Sequence, residues 1–139
     1  MNSLSVRLGV ILIGLAIFGY AEVWGADWKY YGSSENCLGH YDTQSITRPS
    51  ESIVRVRLRW NWTEKFVLRW VEKYGKKYEN FSYSIILQEI NCAEKKIRRL
   101  SVTQYGHKGS VIDIMDSPSF WIFIPPESMI ESLYKEVCK

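Results

Sequence analysis

Residues 53–62 read IVRVRLRWNW. Val54, Val56, Leu58, Trp60 and Trp62 share one parity; Arg55, Arg57, Arg59 and Asn61 share the other. Side chains of a strand point alternately to its two faces. Strict alternation over this length therefore defines a half-buried strand with a basic outer face. Thr63 follows as an N-cap, with Glu64 in the first helical turn. Phe66, Val67, Trp70, Val71 and Tyr74 recur at helical spacing as one apolar stripe, and Gly75 supplies a left-handed stop. The stretch thus predicts a strand that feeds directly into a helix.

Working outward, residues 81–90, 96–105 and 111–115 read as strands, and residues 28–31 and 38–42 as two shorter ones. Alternation in 96–105 is imperfect: Ile97 falls on one face, Leu100 and Val102 on the other. A bulge near Arg98-Arg99 repairs it. Residues 106–109, GHKG, are a hairpin turn. Residues 120–124, FWIFI, are an apolar run in a region that reads as loop, with Pro118 and Pro125 on either side. Ser128 and Glu131 stand at capping-box spacing ahead of a last helix, whose buried stripe is Ile130, Leu133, Tyr134 and Val137. The order predicts an α+β domain: a mainly antiparallel sheet of about six strands, with a mid-chain and a C-terminal helix packed on it.

The N-terminus reads differently. Arg7 is the only charge before Glu22, and residues 8–20, LGVILIGLAIFGY, are an apolar core. It is shorter than the roughly 20 residues a membrane span needs. It fits the apolar core of a secretory signal peptide over residues 1–25, cleaved after Gly25, with Val23 and Gly25 at the −3 and −1 positions. Residues 26–139 then form a single domain with no stable membrane span.

The net charge of +3 excludes a polybasic protein and gives no reason for a nucleic-acid partner. The 3 Cys and 2 His hold no pair at metal-ligand spacing, so no metal and no cofactor is assigned. Export permits disulfides. Cys92 ends a strand-like run and Cys138 the last helix, so bridging them would staple helix to sheet; pairings 37–92 and 37–138 stay open. Cys37 follows the polar turn Gly32-Ser33-Ser34-Glu35-Asn36 and reads as an accessible thiol able to link two chains into a homodimer.

Two surfaces are candidates for binding. Arg55, Arg57 and Arg59 stand about 7 Å apart in steps along one face. They would attract an anionic ligand weakly and with salt dependence, unless carboxylates on neighbouring strands neutralise them. Alternation within 120–124 sends Phe120, Ile122 and Ile124 one way and Trp121 and Phe123 the other. One set covers the core; the other meets solvent, a partner chain or a ligand. Trp60 and Trp62 lie on the apolar parity and read as core, and His40 and His107 as solvated turn residues. Cys37 near His40 is the one Cys/His neighbourhood, without an orienting partner, so no catalytic residue is assigned and the chain reads as not an enzyme.

Several stretches in order resemble the surface-adhesin protein E family of bacterial envelope proteins. They are Tyr41-Asp42, Ser45-Ile46-Thr47-Arg48-Pro49-Ser50, Ile53-Val54-Arg55-Val56, Lys76-Lys77-Tyr78-Glu79-Asn80, Tyr83-Ser84, Glu89-Ile90-Asn91-Cys92, Asp116-Ser117-Pro118-Ser119 and Leu133-Tyr134-Lys135-Glu136-Val137-Cys138-Lys139. The resemblance implies a signal peptide, a curved antiparallel sheet with a packed helix, and a Cys92–Cys138 bridge. It also implies a non-catalytic adhesive role at the cell surface, where members of the family bind host matrix and serum proteins and can dimerise. Together with the export signal and the arginine stripe, this sets the expectation of a protein or anionic surface ligand, bound in the periplasm or on the outer surface of a Gram-negative bacterium. The competing expectation is a structural or accessory periplasmic protein that self-associates or scaffolds an envelope complex.

Overall fold

The alternating stretch forms β3 (Ile53–Trp62), at the middle of the sheet. The computed structural model describes residues 26–139; the predicted export signal and its cleavage point, residues 1–25, lie outside the described residues. β3 pairs antiparallel with β4 (Phe81–Asn91), setting Val54 opposite Ile90, Val56 opposite Gln88 and Leu58 opposite Ile86. Val54, Val56 and Leu58 are fully buried, as the parity requires. On one side lie β2 (Cys37–Asp42) and β1 (Trp28–Ser33); on the other lie β5 (Lys96–Gly106) and β6 (Val111–Met115). The spatial order is β1-β2-β3-β4-β5-β6, every pairing antiparallel. A seventh strand, β7 (Ile122–Phe123), pairs with β5 at Lys96 and Ile97, so part of the expected loop is sheet.

Helix α1 (Glu64–Tyr74) begins where the sequence says. The Thr63 hydroxyl accepts a hydrogen bond from the Phe66 N–H at 3.3 Å, and Gly75 ends the helix at φ 101°, a region that favours glycine. Its stripe packs Val67, Phe66 and Trp70 on Trp62, Tyr78 and Phe81. Helix α2 (Met129–Val137) starts at Ser128, whose hydroxyl accepts from the Glu131 N–H at 3.1 Å. The Glu131 carboxylate reaches back to the Glu127 N–H, one residue before the cap, rather than closing the box on Ser128 itself. Leu133 and Val137 sink into the main core with Val54, Val56, Leu58 and Ile90. Gly39 on β2 is required by contact: a Cβ there would run into Met129 and Tyr31.

A β-bulge does fall near Arg98-Arg99. Leu87 pairs with Ser101 and Gln88 with Arg99, which leaves Leu100 as the extra residue of β5. Ile97, Arg99, Val102 and Gln104 are thereby paired with Ile90, Gln88, Ile86 and Ser84, all on the helical face. Among the described residues no helix is long and apolar enough to cross a membrane.

Cys92 and Cys138 form a disulfide, with Cα atoms 5.6 Å apart. The Tyr134 hydroxyl donates to the Cys92 carbonyl at 3.2 Å, so α2 is tied to the end of β4 twice. The expectation for Cys37 needs correction. It opens β2 instead of sitting in a turn, faces inward opposite Trp62, and is 4% exposed. Its Sγ lies 3.9 Å from Met129 Sδ, and burial pushes the thiol pKa up despite the Ser34 hydroxyl beside it. A folded chain therefore does not offer this thiol to a second copy.

Two outcomes follow. Replacing Cys92 and Cys138 by Ser removes a cross-link between residues 46 apart. It should cost about 4 kcal/mol in denaturant unfolding by the chain-entropy account. Cys37 should resist a thiol reagent in buffer and react in denaturant, and a non-reducing gel of the purified protein should show no dimer that Cys37→Ser abolishes.

Candidate functional site

The two helices share one face of the sheet but do not meet over its centre. α1 covers Trp62 and Phe81, and α2 covers Val54 and Ile90. Between them lies a cleft of about 500 Å³, floored by Trp60, Ile86 and Val102, with Trp70 of α1 on one side and Ile130 of α2 on the other. Phe120 and Ile122 form its rim at the β5 edge. The expectation that Trp60 and Trp62 are core is met only in part: both are half-buried and line this cleft. Their indole N–H groups are engaged, Trp60 donating to the Tyr31 hydroxyl at 2.6 Å and Trp62 to the Ser84 hydroxyl at 2.9 Å. A second depression of about 310 Å³ shares Trp70, Val102, Gln104 and Met115 with the first and extends toward Tyr78 and Asp113. The Tyr78 hydroxyl donates to Asp113, and this bond, with the Ile114 N–H and the Lys77 charge, holds the Asp113 carboxyl below its usual range.

Behind the cleft surface not every polar atom is hydrogen-bonded. Among the described residues, Trp70 Nε1, Arg99 Nε and Gln104 Oε1 are buried without a hydrogen-bond partner, and all three side chains belong to the cleft lining. Trp70 comes from the helix, while the bulge at Leu100 brings Arg99 and Gln104 to the same face.

The segment after β6 runs along β5. The Ser119 N–H donates to the Arg99 carbonyl at 2.7 Å, and the Arg99 N–H donates to the Ser119 hydroxyl at 2.8 Å. The alternation read from the sequence holds. Ile124 is in the core, Phe120 and Ile122 face the cleft, and Trp121 and Phe123 face the opposite side. Exposure does not divide the same way: Phe120 is 91% exposed, Phe123 71% and Ile122 56%, whereas Trp121 is half-covered by the Arg98 guanidinium 4.8 Å from its ring. Lys96 lies over Phe123 at 4.7 Å.

On the outer face, Arg55, Arg57 and Arg59 are not a free positive stripe. Arg55 and Arg98 share the buried Glu89 carboxylate at 2.9 and 2.8 Å, and Arg57 pairs with buried Asp42 at 2.7 Å. Arg59 stacks at 3.9 Å over Tyr83, which itself stacks on Tyr105. Burial alone would raise Glu89, but its bonds to Arg98 and Arg55 outweigh that and lower its pKa. Asp42 is likewise lowered, burial being offset by the Asp27 N–H, Arg57 and the Gln44 N–H. Four arginines against two carboxylates still leave this face cationic.

His40 lies on β2 rather than in a turn. It faces outward opposite Arg59, while Cys37 faces inward, so the two point away from each other. Among the described residues no three His, Cys, Asp or Glu side chains gather as a metal site. Sequence reasoning missed the inward Arg99 and Gln104. The available signal was their parity: once a bulge is granted, both fall in phase with Ile97 and Val102.

Fold and site define an α+β sheet domain with an apolar, aromatic-rimmed cleft on one face and a cationic surface on the other. The description Surface-adhesin protein E matches residues 28–139, and the chain belongs to that family. Among solved structures, Haemophilus influenzae protein E is similar in fold, with a TM-score of 0.53 at 15% identity over 78% of this chain and 83% of that one. No curated protein matches the chain significantly.

The Glu89 network sets an acid limit. A carboxyl held below its ordinary value contributes stability above about pH 4, the unfolded value, and loses it as pH falls through the lower folded value. Glu89→Gln should cost on the order of 1–3 kcal/mol at neutral pH. Melting curves from pH 7 downward should show the gap between the two proteins closing below about pH 4.

Proposed function

We propose that the chain is an exported, non-catalytic envelope protein that binds a protein partner at the cell surface, with segment 120–123 as the point of contact. The observation that carries this is the exposure of Phe120, Ile122 and Phe123 on a segment hydrogen-bonded along β5. Each large apolar side chain left in water forgoes about 1.5–3 kcal/mol that burial would supply, and the backbone pairing keeps the segment from folding inward. Trp121 and Phe123 stand beside Arg98 and Lys96, the aromatic and cationic mixture that dominates binding energy at protein interfaces. Arg55, Arg57 and Arg59 extend the same outer face and favour an acidic rim on the partner, or a polyanionic surface ligand. Membership in an adhesin family supports the surface location.

The test has two arms. Antibody labelling or protease shaving should reach the full-length protein on intact cells. Labelling only after permeabilisation would replace the adhesive reading with the periplasmic accessory one. Phe120→Ser combined with Phe123→Ser should weaken retention on a panel of immobilised matrix and serum proteins by roughly tenfold or more. Because both side chains are already exposed, the melting temperature should stay nearly constant. Unchanged retention would move the contact elsewhere.

A further inference from the structure

The smaller depression, beside the apolar cleft, already seats a cation. Lys77 Nζ lies 3.6 Å from Asp113 Oδ2 and 5.2 Å from the centre of the Tyr78 ring. Lys73 Nζ stands 5.2 Å from the centre of the Tyr74 ring. An aromatic face carries negative potential and attracts a cation within about 6 Å. Trp70 and Tyr74 stand one helical turn apart on α1, and the turn Lys76–Tyr78 folds Tyr78 back against both. The Trp70 ring is 4.4 Å from Tyr74 and 6.1 Å from Tyr78, inclined at 43° and 85°; Tyr74 and Tyr78 meet at 6.3 Å and 64°. Rings so inclined build a corner rather than a stack. Tyr74 and Met115 are its exposed walls, and Tyr78 is buried at its base. Asp113, half-exposed, supplies the charge. Its Oδ1 accepts from the Ile114 N–H at 2.9 Å and its Oδ2 from the Tyr78 hydroxyl at 3.1 Å. These neutral donors keep the carboxylate ionised and oriented, so what it has left to offer a ligand is charge more than hydrogen bonds.

We propose that this depression of about 310 Å³ binds a quaternary ammonium group of the choline type. Its volume lies within the range of small-molecule sites, about 300–1,000 Å³. A trimethylammonium carries its charge on methyl groups and has no N–H to satisfy. Its methyls pack on Tyr74, Trp70 and Met115 while Asp113 balances the charge. A guanidinium seeks both carboxylate oxygens side by side, and Tyr78 and Ile114 already hold one each. A primary ammonium seeks short hydrogen bonds, and the one the structure seats, that of Lys77, stays at 3.6 Å. Lys77 is exposed, and a surface pair of this kind is weakly held, so an incoming cation displaces it at little cost. The inference goes beyond the protein-contact reading and does not rest on it. The corner is built from α1, the turn after it and β6, whereas the contact segment is 120–123.

The probes are choline and its uncharged carbon isostere 3,3-dimethylbutan-1-ol, titrated into the purified protein and followed by nitrogen–proton NMR. Choline should move the Trp70 indole and Asp113 amide signals saturably, and the isostere, alike in shape, should bind roughly tenfold more weakly or worse. Tyr74→Ala, at an exposed position, should weaken choline severalfold, and Asp113→Asn at least as much. Lys77→Ala removes the competing ammonium and should tighten binding, whereas Lys65→Ala, in the first turn of α1, should leave it unchanged. Equal binding of choline and the isostere by the unaltered protein would overturn the proposal even if Asp113→Asn fails to fold. So would the absence of saturable shifts in both the unaltered protein and Lys77→Ala, or choline binding that Tyr74→Ala leaves intact. Co-sedimentation with phosphatidylcholine vesicles then fixes the source of the group. Capture that free choline competes away and Tyr74→Ala abolishes marks a lipid headgroup, and choline binding without capture marks a free solute; the proposal stands in either case.

Discussion

The register of β3 against β4 is the constraint on which the rest of the structure depends. Val54, Val56 and Leu58 lie opposite Ile90, Gln88 and Ile86, while Arg55 lies opposite Glu89. A slip of one residue would turn the arginines into the core and the valines into water. One face of this pair therefore receives both helices, and the other carries the charges. The Glu89 carboxylate, buried between Arg55 and Arg98, ties three successive strands together on that second face.

Against this frame the bulge at Leu100 has a consequence larger than its size. It lets Ile97 and Val102 both reach the apolar face of a strand whose alternation would otherwise send one of them outward. Arg99 and Gln104 are carried inward by the same shift in parity. Their unpartnered polar atoms follow from solving a packing problem in β5, beneath the cleft between α1 and α2.

The helices are held by different means. α1 rests on an aromatic stack, with Trp62 and Phe66 at 4.1 Å and Phe66 and Trp70 at 5.1 Å. α2 is covalently tied through Cys138 and reaches as far as Gly39 and Cys37 through Met129. The covalent tie fixes one end of α2 at the end of β4, across the groove from α1.

Much of the fold is legible in the chain because periodicity and capping are local. Strict alternation placed β3, Thr63 and Gly75 bounded α1, and Ser128 marked the start of α2. The direction of each residue in 120–124 is also local, since a strand's side chains alternate whatever surrounds it. Exposure is not local. Trp121 is covered because Arg98 on a neighbouring strand reaches across it, and Phe123 is open despite the same parity. Cys37 looks like a turn thiol in one dimension and is buried in three, because pairing with β3 draws it into β2 beneath Met129. The basic stripe likewise meets its carboxylates only through strand pairing, Glu89 from β4 and Asp42 from β2. Sequence by itself determined which face each residue takes. Tertiary structure decided what stands opposite it, because partners from distant segments are set by strand order and helix placement that no local pattern encodes.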